Sequence, residues 1–266
     1  MRWRAALRGV AALVSPVLGG CALSPVTWED QATLDTPETP AMLVVEPGGR
    51  PALLSAPEPP RWVPEGACPE SVRFASPGGR EVYAVWWSSR ADGSAALLGA
   101  RSDDGGERWT VPVPVDTTDR GRLRCDRPPP AITADRLTGY VHVAYFLEGP
   151  HGPGVFFSHS MERAELFHAP MLIVYGERPS HAAIASDGRT VTVAFQDPNT
   201  VLPRISLAIS HTDGHLFEQR VVRISPASVA AEYPHVGVRG RTVAVGWTTP
   251  GARADRMVVR VGVARD

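Results

Sequence analysis

Four stretches of the chain share one pattern of apolar and polar positions. Glu81-Val82-Tyr83-Ala84-Val85-Trp86, Tyr140-Val141-His142-Val143-Ala144-Tyr145, Thr190-Val191-Thr192-Val193-Ala194-Phe195 and Thr242-Val243-Ala244-Val245-Gly246-Trp247 alternate β-branched and small residues and finish on an aromatic. Alternation with a period of two predicts a strand. Each phrase follows a shorter apolar segment and a turn signal: Pro77-Gly78-Gly79, residues 135–139, Asp187-Gly188 and Gly240. Every repeat therefore opens with a predicted hairpin.

The second half of each repeat adds two more strands. Residues 95–100 and 111–115 are apolar runs on either side of Ser102-Asp103-Asp104-Gly105-Gly106-Glu107-Arg108-Trp109. Residues 210–217 are a degenerate copy of that turn, with Thr212 at the acidic position and Phe217 in place of Trp, and residues 158–167 read as a longer, poorer copy. A further strand follows each, at residues 111–115, 170–174 and 221–224. The fourth repeat stops at Arg260-Val261-Gly262-Val263-Ala264-Arg265-Asp266, which matches residues 97–102, so its outer strand must come from elsewhere or leave an open edge. Met42-Leu43-Val44-Val45-Glu46 resembles Met171-Leu172-Ile173-Val174-Tyr175 and is the expected donor. A period of about 50 residues built from four short strands predicts an all-β fold, a small β-propeller of about four blades of four antiparallel strands closed by an N-terminal strand. A fifth blade, or a larger ring formed by association, remains open at this point.

The spacing Ser-x-Asp-x-Gly-x-x-Trp over Ser102, Asp104, Gly106 and Trp109 resembles the Asp box of the sialidase (neuraminidase-like, BNR-repeat) β-propeller superfamily. A short carboxylate that bonds nearby backbone N–H groups, and a Gly that tolerates positive φ, suit a turn. The resemblance covers roughly residues 66 to 266. It implies that these four residues are structural, and that any ligand face lies at the loops entering the first strands and joining the second to the third.

Composition narrows the chemistry. The chain has 25 glycines and 26 prolines and no lysine, which excludes a P-loop lysine, a Schiff-base lysine and a Ser–Lys dyad. A net charge of −1 gives no electrostatic case for a nucleic-acid partner. His211 and His215 are four apart but fall in a turn, so no metal or other cofactor is expected. At the amino terminus Arg2, Arg4 and Arg8 precede a short apolar core, and Leu18-Gly19-Gly20-Cys21 resembles a bacterial lipobox. The expected organisation is a lipoprotein signal peptide over residues 1–21 with lipidation at Cys21, a Pro-rich tether over 22–66 containing the ring-closing strand at 41–46, and the propeller over 67–266. That implies export and a lipid anchor at the bacterial cell envelope, outer membrane included. Cys68 and Cys125 each precede the first strand of adjacent blades, and in an exported protein such a pair is a disulfide candidate.

Candidate site residues follow from the blade register. Strand entries carry Asp126-Arg127-Pro128, Glu177-Arg178-Pro179 and Glu232-Tyr233-Pro234-His235. Arg127 and Arg178 are candidate carboxylate ligands through forked hydrogen bonds. Tyr233 beside Glu232 is a candidate nucleophile, since sialidases use a Tyr. Asp197, His181 and His235 complete the candidate ligand-binding set. The bland alternative is that the arginines pair with nearby acids and pin their loops. Catalytic sialidases carry an Arg-Ile-Pro phrase ahead of the first blade. Here Arg61-Trp62-Val63-Pro64 has an extra residue, and Leu202-Pro203-Arg204-Ile205 has the wrong order. The function expected is thus a module that binds a glycan or an envelope protein. An exo-glycosidase of sialidase type, or a structural subunit completed by a partner, are the alternatives.

Overall fold

The computed structural model describes residues 24–37, 40–251 and 256–265; Cys21 and the signal-like segment lie outside them. The described residues are all-β apart from one 3-10 turn at Pro69–Ser71. In chain order the strands are β1 (Val26–Trp28), β2 (Ala32–Asp35), β3 (Ala41–Val45), β4 (Pro51–Ser55), β5 (Arg73–Gly78), β6 (Glu81–Ser89), β7 (Ala95–Ser102), β8 (Val113–Asp116), β9 (Ala131–Ala134), β10 (Val141–Gly149), β11 (Gly152–Ser160), β12 (Met171–Tyr175), β13 (Ala182–Asp187), β14 (Thr190–Gln196), β15 (Ile205–Ser210), β16 (Gln219–Arg223), β17 (Glu232–Arg239), β18 (Thr242–Thr248) and β19 (Arg256–Ala264). Three sheets are four-stranded antiparallel meanders, β5 to β8, β9 to β12 and β13 to β16. A fourth is built on β17, β18 and β19. The inner strands β5, β9, β13 and β17 pack against one another in chain order.

The repeated phrase forms the second strand of each of these four sheets. Its aromatics Trp86, Tyr145, Phe195 and Trp247 are all buried: neighbouring sheets cover both faces of the second and third sheets, the third sheet packs on Trp247, and Trp62 stands edge-on to Trp86. The register on the third strand is uniform. Val82 pairs with Ser102, Val141 with Ser160, Val191 with Ser210 and Val243 with Gly262.

That register corrects two expectations. The turn of the second sheet begins at Ser160, not Ser158, and has the same length as the others. The Ser102 hydroxyl accepts from the Gly106 amide at 2.8 Å, Ser160 from the Ala164 amide at 3.0 Å, and Ser210 from the Gly214 amide at 3.1 Å. Ala164 takes the left-handed conformation, φ 60°, which Gly106 and Gly214 take freely. The acidic position acts alike in the first and third sheets: Asp104 accepts the Arg108 amide at 2.9 Å, and Thr212 accepts the Leu216 amide at 3.0 Å. In the fourth sheet Gly262 occupies the serine position, so residues 257–262, and not 260–266, match residues 97–102. A Cβ on Gly262 would lie 2.6 Å from Val26 Cγ1 and 2.7 Å from Trp28 Cε3, so the glycine is what lets the β1 side chains pack where β1 pairs with β19.

The edge of β19 is covered by β1 and β2, both antiparallel to it. The run at residues 41–46, expected to cover that edge, instead forms the β3–β4 hairpin. Pro47-Gly48-Gly49 supplies a turn, with Gly48 and Gly49 at positive φ, and closing a short loop to β4 costs far less chain entropy than reaching β19. The hairpin is not loose. Leu43 and Val45 are buried against Ala244, Met257, Val259 and Val261, and a Cβ on Gly237 would lie 2.6 Å from the Leu43 carbonyl. Much of the stretch expected to be a tether, residues 22–66, is therefore part of the fold. The expected disulfide is present: Cys68 and Cys125, with Cα atoms 5.3 Å apart, join the entries to β5 and β9.

Candidate functional site

The loops between second and third strands are held by their own polar residues. Arg90 donates to the Thr117 carbonyl at 3.2 Å, and Asp92 accepts from the Ser94 amide and hydroxyl. Asp197 is buried and accepts the Asn199 amide at 3.0 Å, which makes it the pivot of the 197–204 loop. Its position in the fold is that of a turn former.

The two arginines expected to share a ligand do not share one. The Arg127 side chain is 1% exposed, 3.1 Å from Asp119 Oδ2, and lies over the Trp87 ring at 5.0 Å. Asp119 also accepts the Ala95 and Gly121 amides. The ion pair thus ties together the loop ends around β7 and β9, and the partner is Asp119 rather than the adjacent Asp126. Arg178 donates to the carbonyls of Thr200 and Val201, both at 2.8 Å, and so pins the 197–204 loop. Both guanidinium groups brace loops, Arg127 from a buried position and Arg178 from an exposed one.

Another group does converge. Glu232, Tyr233 and His235 lie on β17 itself rather than in the loop before it. A bulge between Glu232 and His235 interrupts the pairing with β18 and leaves Tyr233 at φ 50°, 54% exposed. The Tyr233 ring stands 4.9 Å from that of His181, which precedes β13. Glu232 on β17 raises the His181 pKa and Arg73 on β5 lowers it, so charges from two other sheets act on this imidazole. Burial is the largest effect and leaves the net shift downward. His235 is also held below its ordinary value by burial. Arg73, the first residue of β5, is exposed, and desolvation shifts it downward against the opposing charge of Glu70. Its guanidinium donates to the Glu70 and Val72 carbonyls at 3.1 and 2.8 Å.

Arg73 was not among the sequence candidates, yet a signal for it exists. Arg73 pairs with Val85, Ala131 with Ala144, Ala183 with Ala194 and His235 with Gly246, so these four occupy one register position on the four inner strands. Two carry long polar side chains and two carry only a methyl group. Aligning first strands as well as second strands exposes this contrast. The resulting cluster of a guanidinium, an imidazole, a carboxylate and a phenol, from β5, β17 and the residue before β13, can donate to and accept from a polyhydroxylated or acidic ligand. Among the described residues, no three His, Cys, Asp or Glu side chains are placed to hold a metal ion.

No protein-family model matches the chain, and no curated protein matches it. Solved structures do. The Hadza microbial sialidase Hz136 is similar with a TM-score of 0.52 and 13% identity over 73% of this chain and 46% of its own. The NanB sialidase from Streptococcus pneumoniae gives 0.46 and 8% over 72% and 49%, and Zg3597, a family 117 glycoside hydrolase from Zobellia galactanivorans, 0.40 and 15% over 73% and 60%. The chain spans about half the length of the sialidases it matches. The likeness to the first is one of fold: the sheets of this chain are arranged as in a sialidase-like, propeller-type protein.

Proposed function

We propose that this protein is a carbohydrate-binding module on a sialidase-type propeller scaffold, with the ligand seated against Arg73, His181, Glu232, Tyr233 and His235. The observation that carries this reading is the convergence of Arg73, His181 and the Glu232–Tyr233 pair from three different sheets. The fold that this chain shares with the sialidase Hz136 fits a glycan ligand, and the exposed Arg73 guanidinium favours an acidic sugar. The turns at residues 102–109, 160–167 and 210–217 are, on this reading, Asp boxes with purely structural duty.

A hydrolase is the second reading, and one observation favours it. Tyr233 is a non-glycine residue at positive φ beside an imidazole and a carboxylate, and such strain clusters at reactive sites. Against it stands the burial of Arg127 in its ion pair with Asp119, since fewer guanidinium groups hold a carboxylate less firmly than several do.

A titration of the mature chain with sialyllactose, glucuronate-terminated and neutral oligosaccharides separates the readings. The expected result is binding of an acidic sugar, weakened at least about tenfold by Arg73→Ala, as loss of a charged hydrogen bond predicts. Binding that Arg73→Ala leaves unchanged, or no binding to any of the three, overturns the module. Cleavage of a fluorogenic sialoside that is abolished by Tyr233→Phe selects the hydrolase instead. We also place the protein at the cell envelope through a lipid on Cys21. Labelling with radioactive palmitate should mark the wild type and not Cys21→Ala; an unlabelled wild-type chain rules the anchor out.

A further inference from the structure

The seams between consecutive sheets use the same register positions with different chemistry. At the first seam, the turn of residues 160–167 docks on β6 and β7. Arg163 reaches Glu81 and Asp103, both at 2.8 Å, Arg101 reaches Glu165 at 3.2 Å, and the Tyr83 hydroxyl donates to Glu81. These are fixed, paired charges. At the second seam, the turn of residues 210–217 docks on β10 and β11 with Phe217 edge-on to Phe157 at 5.0 Å. Here the positions of Glu81, Tyr83, Arg101 and Glu165 are held by Tyr140, His142, His159 and His215.

His168 completes the group. Its ring lies 4.6 Å from that of His159, with His215 at 4.7 Å and His142 at 6.1 Å from the same ring. His142 is fully buried and His159 is 5% exposed. Neither nitrogen of His142 nor Nε2 of His159 has a hydrogen-bond partner. His215 Nδ1 lies 2.7 Å from the Thr212 carbonyl, a geometry that places its proton on Nδ1. The charged groups around the cluster are already engaged. Asp135, on the β9–β10 turn, accepts the Leu137, Thr138 and Gly188 amides, Asp213 faces Arg189 at 3.7 Å, and Glu218 accepts the His211 amide. Among the described residues no carboxylate pairs with any of the four imidazoles.

We propose that the seam between the second and third sheets is an acid-sensitive joint. Neutral imidazoles let the 210–217 turn dock, and protonation drives it off, while the first seam stays closed on its paired charges. Burial first, then repulsion from neighbouring imidazoles, holds His142 near 3 and His159 near 4, with Asp135 opposing weakly at His142. In the open joint both rings return to about 6.5. Because the closed-state values are depressed, the stability from these groups is fully present above about pH 6.5 and is lost as pH falls toward 4. In that window each histidine favours opening by up to about tenfold per pH unit.

Hydrogen–deuterium exchange of the full chain at about pH 7 and pH 5, corrected for intrinsic rates, tests this. Residues 210–217 should lose at least about tenfold more protection on acidification than residues 160–167. The double variant His142→Phe with His159→Phe, or His215→Gln alone should the double variant fail to fold, should remove or reduce that difference. Equal loss at both turns, or an unchanged difference in the variants, overturns the joint. So does Zn2+ added alone at neutral pH that tightens residues 210–217 by way of His159, since that assigns the imidazoles to a metal rather than to protons.

Discussion

At the scale of single residues, Gly106 shows how one position combines two constraints. Its φ is 96°, and a Cβ there would lie 2.7 Å from Pro60. Trp109 donates its indole N–H to the Gly106 carbonyl and stacks on Trp62 at 4.1 Å, so the turn and the chain running past it are fitted to each other. Gly79 has a comparable φ of 68° with nothing within 4 Å of its Cβ position. Gly79→Ala should therefore cost only the left-handed penalty, about 1 kcal/mol. Gly106→Ala should cost about 2–3 kcal/mol, because Pro60 must also shift. Urea midpoints measure the difference, and tryptophan emission should change for Gly106→Ala alone. Equal costs would mean that the Pro60 contact yields freely. The turn residues were legible because their spacing is local. Arg127 was not, because its partner Asp119 sits buried across a loop and the adjacent Asp126 is the more obvious acid. Arg73 was not legible either, because its signal is a register position on β5 and not a local phrase.

At the scale of elements, the second strands were legible because they are buried on both faces and so keep their apolar pattern. The turns after the third strands were legible where the serine was aligned correctly. The second copy slipped by two residues because Ser158 and Ser160 both fit and Ala164 disguises the glycine position. The hairpin turns between first and second strands carry a device that sequence spacing could have revealed. Asp135 accepts the Gly188 amide at 2.8 Å and Asp187 accepts the Gly240 amide at 2.6 Å, so each turn holds the next one along the chain. The corresponding positions in the first and fourth sheets are Pro77 and Arg239, which offer no carboxylate. These ties therefore link the second, third and fourth sheets only. The first sheet is joined to the second by other means: the Cys68–Cys125 disulfide and the Arg163 and Arg101 ion pairs. The covalent link spans 57 residues, for which the chain-entropy account gives about 4 kcal/mol. The exposed ion pairs add much less.

At the scale of the whole molecule, the amino-terminal segment decides whether the fourth sheet has a finished edge. β19 is the last strand, and its outer side is covered by β1 and β2, which come from a Pro-rich stretch whose composition suits a tether. Composition misled here because the burial is concentrated in few residues. Val26 is buried in the same cluster as Trp247 and Ala264, Trp28 lies over Gly262, and Arg260 stacks on the Trp28 ring at 5.5 Å. A chain that begins at residue 40 would expose these contacts and the N–H and C=O groups of β19 together. Losing Val26, Trp28 and Leu34 from the packed surface removes about 3–6 kcal/mol of apolar burial, and the bare strand becomes a template for pairing with other chains. The truncated protein should unfold at a much lower denaturant concentration and elute as aggregates on size exclusion. A true tether would give the opposite result, a monomer of unchanged stability. The addition of a peptide spanning residues 24–37 should restore the monomer, because in the intact chain that segment supplies side chains and hydrogen bonds and not merely a connection.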